Sequence, residues 1–161
     1  MGHEREWRAA PGTFELGTDG PGAIVVGVDG SDSSLRAAAY AAGLARRQRS
    51  RLVAVYVRAL PTPMLSIADR CGAAVTAAIA AQDEIETGLR AAAGARVPHL
   101  DIPAELVVRH GDPFAELTDA AMAVRADAVV VGRSMSARHR IAGSLAVRLV
   151  RSGRWPVTVV P

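Results

Sequence analysis

The sequence predicts a single α/β domain built on an open parallel sheet with helices on both faces. Three observations carry that expectation. Short runs rich in Val, Ile and Leu recur at 24–28, 52–57, 104–109, 126–131 and 157–160, and runs of this kind read as strands buried on both faces. Helical patterns fill the gaps between them, and strands alternating with crossover helices imply parallel pairing and right-handed connections. The 161 residues hold no internal repeat, and a chain of that length suits one core.

Residues 1–21 mix charges, glycines and prolines without periodicity, and are expected to form a flexible N-terminal tail ahead of one domain at 22–161. Ile24–Val28 is the first strand. It runs into Asp29-Gly30-Ser31-Asp32-Ser33-Ser34, which supplies a turn and several N-caps, with Asp32 read as a capping residue. A helix is expected from Ser33 to Gln48, presenting Leu35, Ala38, Ala39, Ala42 and Ala45 on one side. Arg46, Arg47 and Arg49 at its end complement the helix dipole. Leu52–Val57 is the second strand, and Pro61 and Pro63 then hold a loop open.

A long Ala-rich helix follows from Gly72 to Ala93, with Val75, Ile79, Ile85 and Leu89 as its larger apolar residues and Gly94 as the stop. Ala104–Arg109 is the third strand. Asp112 as N-cap with Pro113 at the first helical position starts the next helix, which lasts to Val124. The fourth strand, Ala126–Val131, ends at Gly132, a residue that lets backbone approach a ligand. A basic loop carrying Arg133, Arg138, His139 and Arg140 leads to Gly143-Ser144, where a helix with Leu145, Leu149 and Val150 begins. Trp155-Pro156 breaks the chain before the last strand, Val157–Val160.

Composition excludes several chemistries. Half of the residues are apolar but only 4% are aromatic, so Ala, Val and Leu must fill the core. All nineteen basic residues are arginine, which removes any P-loop, Schiff-base or general-base lysine. Positions 1–127 hold all sixteen acids and thirteen arginines, a net of −3, while 128–161 hold six arginines and no acid. No aromatic is interleaved with those six for base stacking, which argues against nucleic acid and for a phosphate-bearing small molecule or a solvated face. The single cysteine, Cys71, allows no internal disulfide and reads as a small semi-buried residue. The four scattered histidines lack ligand spacing. Neither a membrane span nor a secretory signal is visible, and a cytoplasmic location is expected.

Ligands of open parallel sheets bind at the carboxyl ends of the strands, where strand order reverses. If strand one lies between strands two and four, Asp29-Gly30-Ser31 and Gly132-Arg133-Ser134 meet at one crevice. Backbone N–H groups and the start of the helix after Gly143-Ser144 would then point at a bound anion, with Ser144 as N-cap or direct ligand. Asp29 and Asp32 together could hold Mg²⁺ beside phosphate oxygens, although capping accounts for Asp32 as well. Ser31, Ser33 and Ser34 have no predicted His partner, so no nucleophile is assigned and no catalytic residue is expected.

Ile24–Ser31 (I-V-V-G-V-D-G-S), Ala126–Gly132 (A-D-A-V-V-V-G), Gly143-Ser144 and the terminal W-P-V-T-V-V resemble the universal stress protein family over residues 23–161, in order. The resemblance implies a flavodoxin-like (Rossmann-like) sheet of order 3-2-1-4-5 and a small cytoplasmic stress-response protein. It also implies a homodimer, here through the strand Val157, Thr158, Val159 and Val160. One branch of that family binds ATP and others do not. In the binding branch the strand-four loop reads glycine, two residues, glycine, nine residues, then Gly-Ser or Gly-Thr. Gly132 and Gly143-Ser144 match; Met135 stands at the second glycine, and seven residues separate it from Gly143.

Carried onto this chain, the family pattern makes Asp29, Gly30, Leu52, Gly132, Arg133, Arg138, Arg140, Gly143 and Ser144 the nucleotide-binding set. Leu52 or Val53 stands at the nucleoside edge, ATP with Mg²⁺ is the cofactor, and activity is at most slow ATP hydrolysis. The main alternative is a dimeric interaction module of the same family that binds no nucleotide. A third reading comes from Val28–Ser34 (V-D-G-S-D-S-S), which echoes the S-G-G-x-D-S loop of adenylating ATP pyrophosphatases. There Val28 and Asp29 replace the Ser and Gly that cradle pyrophosphate.

Overall fold

The computed structural model describes residues 22–59, 72–133 and 145–161. They form β1 (Ala23–Val28), α1 (Asp32–Gln48), β2 (Arg51–Arg58), α2 (Ala73–Arg96) and, after a short 3₁₀ turn at Val97–His99, β3 (Ala104–His110). α3 (Pro113–Ala123), β4 (Ala126–Gly132), α4 (Leu145–Ser152) and β5 (Val157–Val160) complete the order. The five strands make one sheet, β3-β2-β1-β4-β5, and every neighbouring pair is parallel.

Strand alternation divides the core between the two faces. Ile24, Val26 and Val28 of β1 pack with Ala37, Ala41 and Ala45 of α1 and Leu89 of α2. Val25 packs on the other face with Leu117, Ala120 and Ala121 of α3 and Leu149 of α4. Gly27 belongs to that second face, where an added Cβ would stand 3.4 Å from the Leu117 methyl Cδ2. That is ordinary van der Waals contact. Alanines on the buried stripe of α1 let the helix axis lie close to the sheet, in keeping with a core poor in aromatics.

Helix boundaries depart from the sequence reading in three places. Of the caps that the cluster offers, Ser31 and not Asp32 caps α1: its side chain accepts from Ser34 N, and Asp32 is the first helical residue. The buried stripe of α1 is Ser33, Ser34, Ala37, Ala41 and Ala45, whereas Leu35 is exposed. The cap sits one residue earlier than expected, and the buried stripe is the line of small residues that packs on the sheet. Gly94 does not stop α2, which continues to Arg96, because isolated glycine weakens a helix without breaking it. Of the apolar residues assigned to α2 and α4, Leu89 and Leu149 are buried and Ile79 and Val150 are exposed. Asp112 caps α3 with Pro113 at its first position, as the Asp-Pro pair predicts.

No helix among the described residues is long and apolar enough to cross a membrane.

Candidate site at the carboxyl end of the sheet

β1 delivers Asp29 and Gly30 to the carboxyl edge of the sheet, directly beside the first turn of α1. Gly30 takes a positive φ of 81°, a conformation open to glycine at little steric cost. Ile85 of α2 closes over it, with Cγ2 only 3.0 Å from where a Cβ would be. Ser31 then organises the turn. Its N–H and hydroxyl both donate to Asp29 Oδ1, at 3.0 and 2.6 Å, and its Oγ accepts from Ser34 N at 3.3 Å. The one hydroxyl proton of Ser31 is committed to Asp29, so in the 3.2 Å contact between Ser31 and Ser33 the Ser33 hydroxyl is the donor. Ser34 Oγ accepts from Asp29 N at 3.2 Å and donates to Ser31 O at 2.9 Å.

These bonds set the charge of the site. Lost hydration opposes ionisation of Asp29, but the bonds from Ser31 and Ser34 together outweigh it and hold the carboxyl below its ordinary range. Asp29 is therefore a carboxylate at neutral pH, oriented from inside the turn and exposed on its outer side. All three serines of the turn serve the helix start and the carboxylate.

β4 arrives at the same place. It pairs with β1 through Gly27 and Val131, and Gly132 seats against the first turn of α1. A Cβ there would stand 2.6 Å from the Ser33 carbonyl carbon and 2.7 Å from Ser34 N. Gly132 thus makes a close backbone approach, but to α1; the sequence reading assigned that approach to a ligand. Arg133 N donates to Val160 O at 2.7 Å, extending the β4–β5 ladder by one bond. Asp29, Gly30, Gly132 and Arg133 therefore share one edge, at the point where strand order reverses about β1 and β4.

Leu52 does not belong to this edge. It pairs with Ile24 and Ala104, at the amino end of the sheet, and is buried. Five residues of strand, roughly 16 Å at the usual rise, separate its level from Asp29. The family pattern names only the strand, and the parallel register puts Tyr56, Val57 and Arg58 at the site end of it. Val53 is excluded on the same ground. Arg138, Arg140, Gly143, Ser144 and Met135 lie outside the described residues.

Sequence reading missed how α2 is fastened here. Arg58 donates to Asp83 at 2.6 Å and to Glu86 at 2.9 Å, and Glu86 also receives Arg90. Tyr56, buried at the end of β2, donates to Gln82 O at 3.4 Å, and Gln82 donates to Ala59 O at 3.0 Å. Burial raises the Tyr56 phenol, against the pull of Arg58. The available signal was the acidic D-E-I-E at 83–86 in an otherwise Ala-rich helix, facing a strand that ends in arginine.

Among the described residues no group of three or more His, Cys, Asp or Glu is gathered to hold a metal ion. Asp29 Oδ1 receives Ser31, and Asp32 is the first residue of α1.

The universal stress protein family model matches residues 22–161. The chain belongs to the universal stress protein family. Solved structures agree with the assignment. A universal stress protein from Burkholderia pseudomallei is 28% identical, with a TM-score of 0.62 over 86% of this chain and 95% of the other. A universal stress protein solved in complex with cAMP is 24% identical, with a TM-score of 0.57 over 87% and 96%. One from Archaeoglobus fulgidus in complex with dAMP is 20% identical, with a TM-score of 0.53 over 87% and 98%. A comparison with curated protein sequences finds no match. For a universal stress protein, the sheet order 3-2-1-4-5 is the fold expected from the motifs.

Proposed function

We propose that this universal stress protein binds an adenine nucleotide at the edge formed by Asp29, Gly30, Gly132 and Arg133, with the stretch through Arg138, Arg140, Gly143 and Ser144 supplying the phosphate side. The observation that carries the reading is the convergence of an oriented carboxylate and the end of β4 at one edge, joined through Ser34. Asp29 is suited to accept hydrogen bonds from ribose hydroxyls, and arginine forks suit phosphate oxygens. Relatives crystallised with cAMP and dAMP support the adenylate class. Asp29 is also the group on this edge suited to approach a Mg²⁺ carried in with ATP. Turnover of ATP, if any, is slow. The protein acts in the cytoplasm as a homodimer paired through β5.

Titration calorimetry with AMP, cAMP and MgATP tests the proposal. Saturable heat at micromolar to millimolar ligand, weakened in Asp29→Ala, supports it. Absence of heat at millimolar nucleotide from a folded protein assigns the chain to the alternative, an interaction module that binds no nucleotide. One observation favours that second reading: packing against Ser33 accounts for Gly132 without any ligand.

A further inference from the structure

We propose that the amino end of the sheet, opposite the nucleotide edge, is a docking face for duplex nucleic acid, held through its phosphate backbone by arginines of the helix-to-strand connections.

Charge is concentrated there. The segments that carry each helix into the next strand, 46–51, 96–103, 124–126 and 151–156, hold eight arginines and one acid, Asp101. All eight arginines are exposed. Arg51 pairs with Glu105, and Arg154 lies on the Met122 sulfur at 3.3 Å. The other six have no ion pair among the described residues. Asp127, the next acid along β4, has its carboxylate against Gly22. Arg51 of β2 and Ala126 of β4 both stand in register with Ala23 of β1. Arg49 and Arg125 therefore lead into the sheet on either side of β1, on strands roughly 10 Å apart. The six residues of β1, a rise of about 20 Å, separate this face from Asp29.

Helix stability explains only part of the cluster. Arg46, Arg47, Arg96 and Arg151 lie in last turns, where the dipole favours a cation. Arg49 and Arg125 stand beyond those turns, and backbone conformation opposes them. Each takes a positive φ, 54° and 50°, and donates its N–H to the carbonyl three residues back, at 3.3 and 3.1 Å. Gly153 makes the same turn between α4 and β5, with φ 63° and a 3.2 Å bond to Val150 O. Glycine adopts this conformation without a Cβ penalty. Two connections thus carry an exposed, unpaired arginine where the backbone favours glycine, and strain of that kind points to a role for the side chain.

The surroundings of the arginines select the partner. Lack of interleaved aromatics weighs against unpaired bases, which need stacking; Trp155, the aromatic of these segments, packs into the core. A duplex presents its phosphates outermost and is held without stacking. Membrane surfaces take up apolar residues beside the basic ones, and among the described residues no large exposed apolar side chain lies in these segments. Arginine forks spread over the ends of several strands match a repeating row of phosphates.

The test is fluorescence anisotropy of the full chain with two labelled DNA duplexes of unrelated sequence, over roughly 50 to 200 mM salt. The parent should bind both equally and weaken as salt rises. Arg49→Gly/Arg125→Gly should weaken both complexes and lower the salt slope by about 2, close to one per phosphate contact. Its melting temperature should stay level or rise, because glycine relieves the positive φ. Arg36→Gln/Arg109→Gln removes the same charge from elsewhere and should leave affinity and slope unchanged. No duplex binding by the parent, an unchanged slope in the glycine variant, or an equal loss in the Arg36/Arg109 variant overturns the proposal. Co-sedimentation with phosphatidylserine vesicles in preference to duplex also overturns it, in favour of a membrane surface. A lower melting temperature in the glycine variant makes the two arginines supports of their turns and overturns it as well.

Discussion

Gly132 is packed onto the Ser33 peptide so closely that β4 can end there only in glycine. A Cβ would meet the carbonyl carbon and oxygen at 2.6 and 2.7 Å, and both atoms are backbone in the first turn of a helix. Neither can move without disturbing the cap. Gly132→Ala should therefore destabilise the protein by about 1–3 kcal/mol, the usual range for overpacking. Chemical denaturation measures it, and an unchanged midpoint would show that α1 yields freely.

Thr118 predicts the opposite sign. It is 5% exposed, and its hydroxyl has no hydrogen-bond partner among the described residues. Phe114, Thr118 and Met122 follow at helical spacing along the flank of α3 that meets Arg148 and Arg154. An unsatisfied buried hydroxyl costs about 1–3 kcal/mol. Thr118→Val should raise the melting temperature by a few degrees, as followed by calorimetric scanning; a lower one would reveal an undetected partner.

Asp29 gives a pH dependence with a definite sign. Its folded carboxyl lies below the ordinary value. The stabilisation it contributes is present above about pH 4, near the unfolded aspartate value, and is lost as pH falls through the depressed folded value. Carboxyl-detected NMR should show Asp29 titrating below the ordinary aspartate value. Ser31→Ala should bring its midpoint up and cost about 1 kcal/mol through the lost cap.

The β5 edge predicts association. Val159 is 43% exposed on a strand whose one pairing among the described residues is with β4, and an apolar edge invites a further strand. Light scattering at micromolar protein should give a dimer, and Val159→Asp should shift it toward monomer. A monomeric parent removes the idea.

Salt dependence separates the sources of phosphate affinity. Arginine forks at a partly open site weaken with ionic strength more than buried N–H donors do. MgATP binding should decline as salt rises, and Arg138→Ala/Arg140→Ala should weaken it by roughly tenfold or more, the worth of one charge-assisted bond. Met135→Gly should leave affinity unchanged unless the methionine fills the pocket, in which case affinity rises. Calorimetry at two salt concentrations checks all three.

The parallel sheet was legible because each strand carries its own signal. Val129, Val130 and Val131 are buried on both faces, as a β-branched run implies. Asp112-Pro113 gave a helix start to the residue, since two independent preferences coincide there. Ser31 was harder, because four polar residues in succession offer competing caps and only the fold selects among them. Leu52 stands at the amino end of its strand, although the rule that ligands of parallel sheets bind at the carboxyl ends pointed to the Val57 end. Arg148 and Arg58 were invisible as partners of Asp112, Asp83 and Glu86, since those pairs join segments 25–36 residues apart.

The Ala-rich helix α2 has one buried residue, Leu89, in 24. Among the described residues its side-chain fastenings to β2 are at Gln82, Asp83 and Glu86. Little apolar area is removed from water along its first two turns, where Ala73, Ala74, Ala77 and Ile79 are exposed. Such a segment sits at the low end of the local stability scale. It can fray without the sheet opening, and the fraying would halt where Arg58 grips it. A protease should then nick the chain in the first turns of α2 while β1 and β2 remain paired, and the nicked domain would keep its fold.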